Sequence, residues 1–195
     1  PPETGGAEIS IALLAKGLKN LNNNIFFAST GHYPGFKNLK FFRYRKIPSY
    51  YLQNVYATGI LSNIIKKYKI DIVHAHDRNT ILPAIKAAQK NNIPVVAHFR
   101  DYWFLCPKSS LLTPQLENCN TCSIPKLITC SKWWRLLWDI RKYVYLRRIK
   151  DTINQADIKI ANSQYVANKL KEWGINKNIK MIHIPREFKK VKIRR

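Results

Sequence analysis

The sequence predicts an α/β fold, a doubly wound, Rossmann-like parallel sheet. Three observations point to it. Strands and amphipathic helices alternate along most of the chain. The strands are near-continuous apolar runs, as strands covered on both faces require. Conspicuous polar residues recur just after the strands, where open α/β sheets bind ligands.

Each element has its own warrant. "GGAEISIALLAKGL" is a glycine turn feeding a helix over 7–21, with Ile9, Leu13 and Leu21 at helical spacing and Ile11, Leu14 and Leu18 widening the stripe. In a doubly wound fold such a turn joins the central first strand to the first helix. The expectation is that this strand lies before Pro1 and that the chain is a fragment lacking it. "NIFFAST" reads as a strand at 24–30. Residues 48–69 read as a helix with Pro48 near its start. "DIVHAH", 71–76, is a strand, and 79–92 a helix carrying Pro83 in its first turns. "IPVVAHF", 93–99, is a β-branched strand. Residues 131–150 form a long helix. "DIKIAN", 157–162, is a strand, followed by a helix over 163–174 with Ser163 as N-cap and Gly174 as its stop. "KMIHI", 180–184, is the last strand, and 186–195 reads as solvated surface or a linker. No internal repeat is visible. Residues 1–195 are expected to be one domain, with a cysteine-rich loop at 104–131.

Size and charge narrow the function classes. A chain of 195 residues suffices for one domain with a real core. No apolar run approaches the roughly 20 residues that span a bilayer, and the N-terminus carries no secretory signal. Lys and Arg number 34 against 11 Asp and Glu, a formal charge of +23. Such a surface attracts polyanions: nucleic acid, anionic lipid or phosphorylated substrates. Abundant Lys, Asn and Ile together also fit an AT-rich gene, which accounts for part of the excess.

The polar residues after the strands define a candidate site. Gly5 and Gly6 open the first helix, Gly31 and His32 follow the second strand, and His76, Asp77, Arg78 and Asn79 follow "DIVHAH". Arg100, Asp101, Tyr102 and Trp103 follow "PVVAHF", and Asn162 and Ser163 follow "DIKIAN". All fall at the carboxyl edge of the predicted sheet. His74 and His76 share a strand face. Two histidines at that spacing suit a metal, but the favoured reading is positional, with His76 at the strand tip facing a cleft and His74 a satisfied core histidine.

"GGAEISIALLAKGL", "DIVHAHDRNTILPAIKAAQKNNIPVVAHFRDYWFLCP" and "DIKIANSQYVANKLKEWGI", in that order and spacing, resemble the N-terminal domain of family 4 retaining glycosyltransferases. The resemblance covers nearly the whole chain. It implies one half of a GT-B fold: an acceptor-side domain facing a second, donor-binding domain that this chain does not reach. It implies a nucleotide-sugar donor and a lipid-linked or glycan acceptor. Gly5, Gly6 and Ala7 then lie near the donor diphosphate, where a helix N-terminus presents free N–H groups, with His76, Asp77 and Ser163 also lining the donor side. Such transferases generally need no metal. The family has a histidine before Asp-Tyr-Trp, where this sequence has Arg100. An arginine holds phosphate bidentately but is no general base near neutral pH. Arg100, Asp101 and His98 are the residues expected to carry the chemistry. The fragment alone is expected to be inactive.

Two segments carry separate expectations. Cys106, Cys119, Cys122 and Cys130 cluster around one C-x2-C pair, which suits a structural zinc knuckle. A disulfide is disfavoured in a reducing cytosol, and free structural thiols are the remaining alternative. Residues 131–150 hold seven Lys and Arg against one Asp, with three Trp and two Tyr. That mixture suits the interface of an anionic membrane. With the resemblance it places the protein in the cytoplasm, peripheral on the inner face of the cell membrane. A plain core-covering helix is the alternative. A basic, zinc-stapled nucleic-acid module is disfavoured, because no RNP-like run or helix-turn-helix is present. A dinucleotide-binding Rossmann domain is disfavoured because "GGAE" lacks the G-x-G-x-x-G spacing.

Overall fold

The structure is a computed structural model and describes residues 5–31 and 39–185. His32 and the expected surface segment 186–195 lie outside the described residues. The chain divides into two compact units, Pro1–Lys46 with His183–Arg195, and Ile47–Ile182.

The first unit holds α1 (Gly6–Asn20), β1 (Phe26–Ser29) and β2 (Lys40–Arg43). β1 and β2 pair in parallel, with Phe27 opposite Phe41 and Ala28 opposite Phe42. Phe27 stacks on Phe41 at 5.8 Å and Phe26 on Phe42 at 6.5 Å. The sequence reading did not anticipate β2, because "KFFR" is too short to show a period.

The second unit begins with α2 (Tyr50–Tyr68), capped by Ser49, whose hydroxyl accepts from the Leu52 N–H. It ends where Lys69 turns left-handed, at φ 49°. The rest runs β3 (Val73–Ala75), α3 (Arg78–Lys90), β4 (Val95–Phe99), α4 (Ile124–Cys130), α5 (Leu136–Asn154), β5 (Ile158–Ala161), α6 (Gln164–Glu172) and β6 (Ile179–Met181). The four strands form one parallel sheet in the order β3-β4-β5-β6.

Alternation along the strands assigns the two faces. Ala75, Val95, Ala97, Phe99 and Ala161 point into the main core, where they meet Ile81 and Ile85 of α3, Leu146, Ile149 and Ile153 of α5, and Leu170 of α6. Small alanines on the sheet let the helices approach closely. His74, Val96, His98 and Ile160 alternate onto the opposite face and lie outside that core. Lys159 is buried on the core side, its ammonium donating to the Asn154 and Ala156 carbonyls at 2.7 and 2.6 Å.

Two expectations need correction. The segment 104–131 is not simply a loop, since it contains α4, capped by Ser123. The expected helix over 131–150 is interrupted. Ser131 and Lys132 are extended, Trp133–Arg135 form a 3-10 turn, and α5 starts only at Leu136. The break is held by Ser131, whose hydroxyl donates to the buried Asp139 carboxylate at 2.8 Å.

Ile85 has no solvent exposure. Ile85→Ala is expected to cost about 2–5 kcal/mol in urea unfolding, through lost burial and the cavity left behind. Ile72→Ala, at an exposed position, is expected to stay within about 0.5 kcal/mol.

Candidate histidine–arginine site at the carboxyl edge of the sheet

Parallel pairing places the carboxyl ends of β3, β4 and β5 at one edge. Three expected site segments therefore converge in the second unit. Asp77 caps α3: its Oδ1 accepts from the Asn79 and Thr80 N–H groups at 2.6 and 3.1 Å, and Thr80 completes a capping box. Ser163 caps α6 by accepting from the Val166 N–H at 3.3 Å. Both side chains expected on the donor side are thus also helix caps. Asn162 ties the strand tips together, its amide donating to the Arg100 carbonyl at 2.9 Å. Asp101 turns the chain after β4 by accepting from the Trp103 N–H at 2.9 Å.

Arg100 reaches across from β4 to β3, its Nη2 donating to His76 Nδ1 at 3.2 Å. An arginine has no lone pair to offer, so the His76 proton sits on Nε2. Below this contact three imidazoles gather. His74 and His76 are 4.1 Å apart between ring centres, His74 and His98 5.5 Å, and His76 and His98 5.3 Å. The register explains the gathering. Ala75 pairs with Ala97, which brings the next residues, His76 and His98, level on one face. The sequence reading paired His74 with His76 but did not connect His98 to them.

The cluster is polar and poorly satisfied. His98 is only 3% exposed, and neither of its ring nitrogens has a hydrogen-bond partner among the described residues. His74 Nε2 is likewise buried without a partner. His74 is therefore not the satisfied core histidine expected from sequence. Burial first, then the Arg100 charge, lowers the His74 pKa to about 4. Burial, then Arg100 and His74, lowers that of His98 to about 3. His76 is held well below its ordinary value by burial, then by His74, Arg100 and His98. At neutral pH the cluster is uncharged and Arg100 supplies the positive charge.

Two further cations stand in the same unit: Arg78, already among the polar residues after β3, and Lys142, which sequence reasoning did not assign. Arg78, the first residue of α3, has Nε and Nη1 buried without a hydrogen-bond partner among the described residues. Lys142 of α5 is lowered to about 8, by burial first and then by the Arg78 charge. Their proximity joins α3 to α5 across many residues of chain, so no local pattern announces it.

Gly5, Gly6 and Ala7 belong to the first unit. Gly5 caps α1 in an extended conformation, φ −74° and ψ 173°, which any residue adopts. A side chain at Gly6 would meet nothing within 4 Å. Neither glycine has a positive φ, and the Glu8 carboxylate of the first turn lies against Gly5, where a Cβ would meet its Oε2 at 2.9 Å.

No disulfide joins the four thiols, and Cys106, Cys119 and Cys130 lie close enough to Cys122 to act on it electrostatically. Among the described residues, the group of three or more potential ligands with atoms within 4.8 Å of one another is His74, His76 and His98. The thiols also have local roles. Cys119 donates to the Thr121 carbonyl at 3.1 Å, and Cys130 is the last residue of α4. Cys122 is buried, and burial followed by the neighbouring cysteines pushes its pKa up to about 12.

The sequence profile of Glycosyltransferase Family 4 matches residues 4–185, and the chain belongs to that family. Solved structures agree on the fold, one Rossmann-like half of a GT-B glycosyltransferase. HepE from Anabaena, solved with UDP and glucose, superposes with a TM-score of 0.60 at 15% identity, over 96% of this chain and 43% of its own. The lipopolysaccharide outer core galactosyltransferase WaaB gives 0.61 at 16% identity, over 98% and 45%. MurG from Acinetobacter baumannii gives 0.54 at 15% identity, over 95% and 44%. The chain thus spans less than half the length of these structures. No curated protein matches it.

The neutral histidines make stability pH-dependent. Their folded pKa values lie below the unfolded value, so the unfolded chain binds more protons below about pH 6.5. The stability is fully present above that pH and falls as pH drops toward 4 and 3, the folded values of His74 and His98. The slope is at most about 1.4 kcal/mol per pH unit for each histidine. Urea unfolding between pH 7 and 4, with chelator present, is expected to show this loss, reduced in His74→Gln.

Proposed function

We propose that this chain is the acceptor-side half of a retaining glycosyltransferase, which moves a sugar from a nucleotide-sugar to a lipid-linked or glycan acceptor. The observation that carries the reading is the cationic carboxyl edge of a Family 4 sheet, where Arg100 stands over uncharged histidines and next to Asp101. Arg78 and Lys142 add positive charge in the same unit. Such an edge suits a phosphate-bearing ligand, because a guanidinium in a partly dry setting binds phosphate strongly through paired N–H groups. HepE, a structural neighbour, was solved with UDP-glucose, which supports a nucleotide-sugar donor. The N-terminus of α1 at Gly5–Gly6 carries N–H groups of the kind a diphosphate uses, with the Glu8 carboxylate beside them.

In this reading Arg100 binds and steadies an anion and moves no proton. As the bond between the sugar's anomeric carbon and the donor diphosphate breaks and the acceptor oxygen bonds to that carbon, the acceptor's proton passes to the departing diphosphate, so a histidine at position 100 is not required. Asp101 positions the turn that carries Arg100. His98, buried beneath, supports Arg100 from below.

The test pairs this chain with a donor-binding half. The 195-residue chain alone is expected to turn over no nucleotide-sugar. In the two-half protein, Arg100→Gln is expected to lower kcat/KM at least about tenfold, the loss of one charge-assisted contact, with circular dichroism unchanged. Turnover by the chain alone, or full activity in Arg100→Gln, counts against the reading.

The same reading places the protein on the inner face of a membrane. Among the described residues no helix is long and apolar enough to cross one. The start of α5 instead presents an aromatic and basic face. Trp133 is 84% exposed, Leu137 75% and Trp138 65%. Lys132 lies over the Trp134 ring and Arg141 over that of Trp138. Each cation near an anionic surface adds about 1 kcal/mol, and exposed indoles add a part that salt does not screen. Vesicles containing phosphatidylserine are expected to bind the chain and neutral vesicles to bind it weakly. Trp133→Ala with Trp138→Ala is expected to remove the salt-resistant remainder. Equal binding to both vesicles argues against the electrostatic contribution.

A further inference from the structure

We propose that His74, His76 and His98 form a binding site for a divalent late transition metal, with zinc as the natural candidate. Three independent observations support it. The ligand nitrogens of the three rings lie within 4.8 Å of one another. The rings come from two adjacent strands whose register holds them on one face of the sheet. Three of the six ring nitrogens lack protein partners: both of those on His98 and Nε2 of His74 are buried with no hydrogen bond among the described residues.

Such orphaned nitrogens are costly. A buried polar group without a partner loses roughly 1–3 kcal/mol, and native structures leave few of them unexplained. A metal ion takes one nitrogen from each ring, and so partners one on His74 and one on His98 that the protein leaves unpaired. Imidazole is a borderline ligand that suits zinc, nickel, copper and cobalt rather than magnesium or calcium. Three histidines leave a fourth tetrahedral position open. Zinc–nitrogen bonds of about 2.0–2.1 Å set neighbouring nitrogens about 3.3–3.4 Å apart. Rotation of the half-buried His74 and His76 rings toward His98 closes the remaining gap.

Arg100 is the competitor. Its Nη2 donates to His76 Nδ1, so one lone pair of the trio is engaged, and its charge opposes a cation. Metal entry requires the guanidinium to release His76 and turn away, leaving the open coordination position on the Arg100 side. Removing this guanidinium therefore strengthens metal binding. An anion site would respond in the opposite sense, because it depends on that charge. The proposal does not rest on glycosyl transfer, and its readout is spectroscopic.

The test is cobalt(II) titration of the 195-residue chain at pH 7.5, with a second chain in which Cys106, Cys119, Cys122 and Cys130 are serine. The expected result is one equivalent of tetrahedral cobalt, visible as intense d–d bands, without a thiolate-to-cobalt charge-transfer band and equally present in the serine chain. His76→Ala and His98→Gln are each expected to weaken binding at least tenfold, and Arg100→Gln to tighten it several-fold. A measurement on the unsubstituted chain guards against variants that misfold. Zinc is expected to shift the ring resonances of three of its five histidines, those of His74, His76 and His98, in a ¹⁵N-imidazole spectrum. Bands that vanish in the serine chain, ring resonances that stay in place, or weaker binding in Arg100→Gln would each overturn the site.

Discussion

β4 sets the terms for the second unit. Its backbone is paired on both sides, with β3 and with β5, and all five of its residues are buried. A strand so placed has no access to water on any side, so its side chains must be apolar or find partners within the fold. Val95, Ala97 and Phe99 meet this by facing the helices, and Val96 by facing the other side. His98 does not meet it in the same way. The one polar side chain of the strand sits where water is excluded, with Ile160 opposite it on β5 and two more histidines on the β3 side, His76 level with it and His74 one step back on the same face. The chemistry of the site starts from that position.

The electrostatics follow from burial. Three imidazoles in a dry setting give up their charge, and the permanently charged Arg100 above them reinforces this. A guanidinium over neutral rings keeps its field for whatever arrives from outside. Asp77 and Ser163 are committed to backbone N–H groups at the starts of α3 and α6. These caps fix the helices that carry Arg78 and flank Asn162. Rigid strand ends and capped helices therefore hold the cationic side chains, while the carboxylates nearby are engaged in turns. A net charge of +23 acts at longer range; the edge residues give it direction.

The basic helix shows how one segment serves two environments. Leu146, Ile149 and Ile153 bury one side of α5 against the sheet and α3. Ahead of them the break at Ser131 turns the chain, and the three tryptophans fall outside the buried stripe. Had the helix run unbroken from residue 131, its tryptophans would have been distributed around a continuing cylinder. In the structure Ser131 is tied to the Asp139 carboxylate, and the three tryptophans lie together at one exposed end.

Local pattern was enough to read most of the second unit from sequence. The strands at 73–75, 95–99 and 158–161 show as apolar runs, and α2, α3 and α6 as helical stretches, the last with Ser163 as its cap. Backbone preference and burial act over a few residues, so they leave a trace in a few letters. The carboxyl edge was legible for the same reason, since parallel strands must end on one side. β2 was not legible, because four residues with two aromatics carry no period and pair only through a partner strand. The break at Ser131 depends on a carboxylate buried by α5 packing. The histidine trio lay furthest from view. His98 is distant from His74 and His76 in the chain, and only the register between β3 and β4 makes them neighbours. Register is a property of two strands together, set by the packing of the whole sheet; no single stretch of sequence contains it.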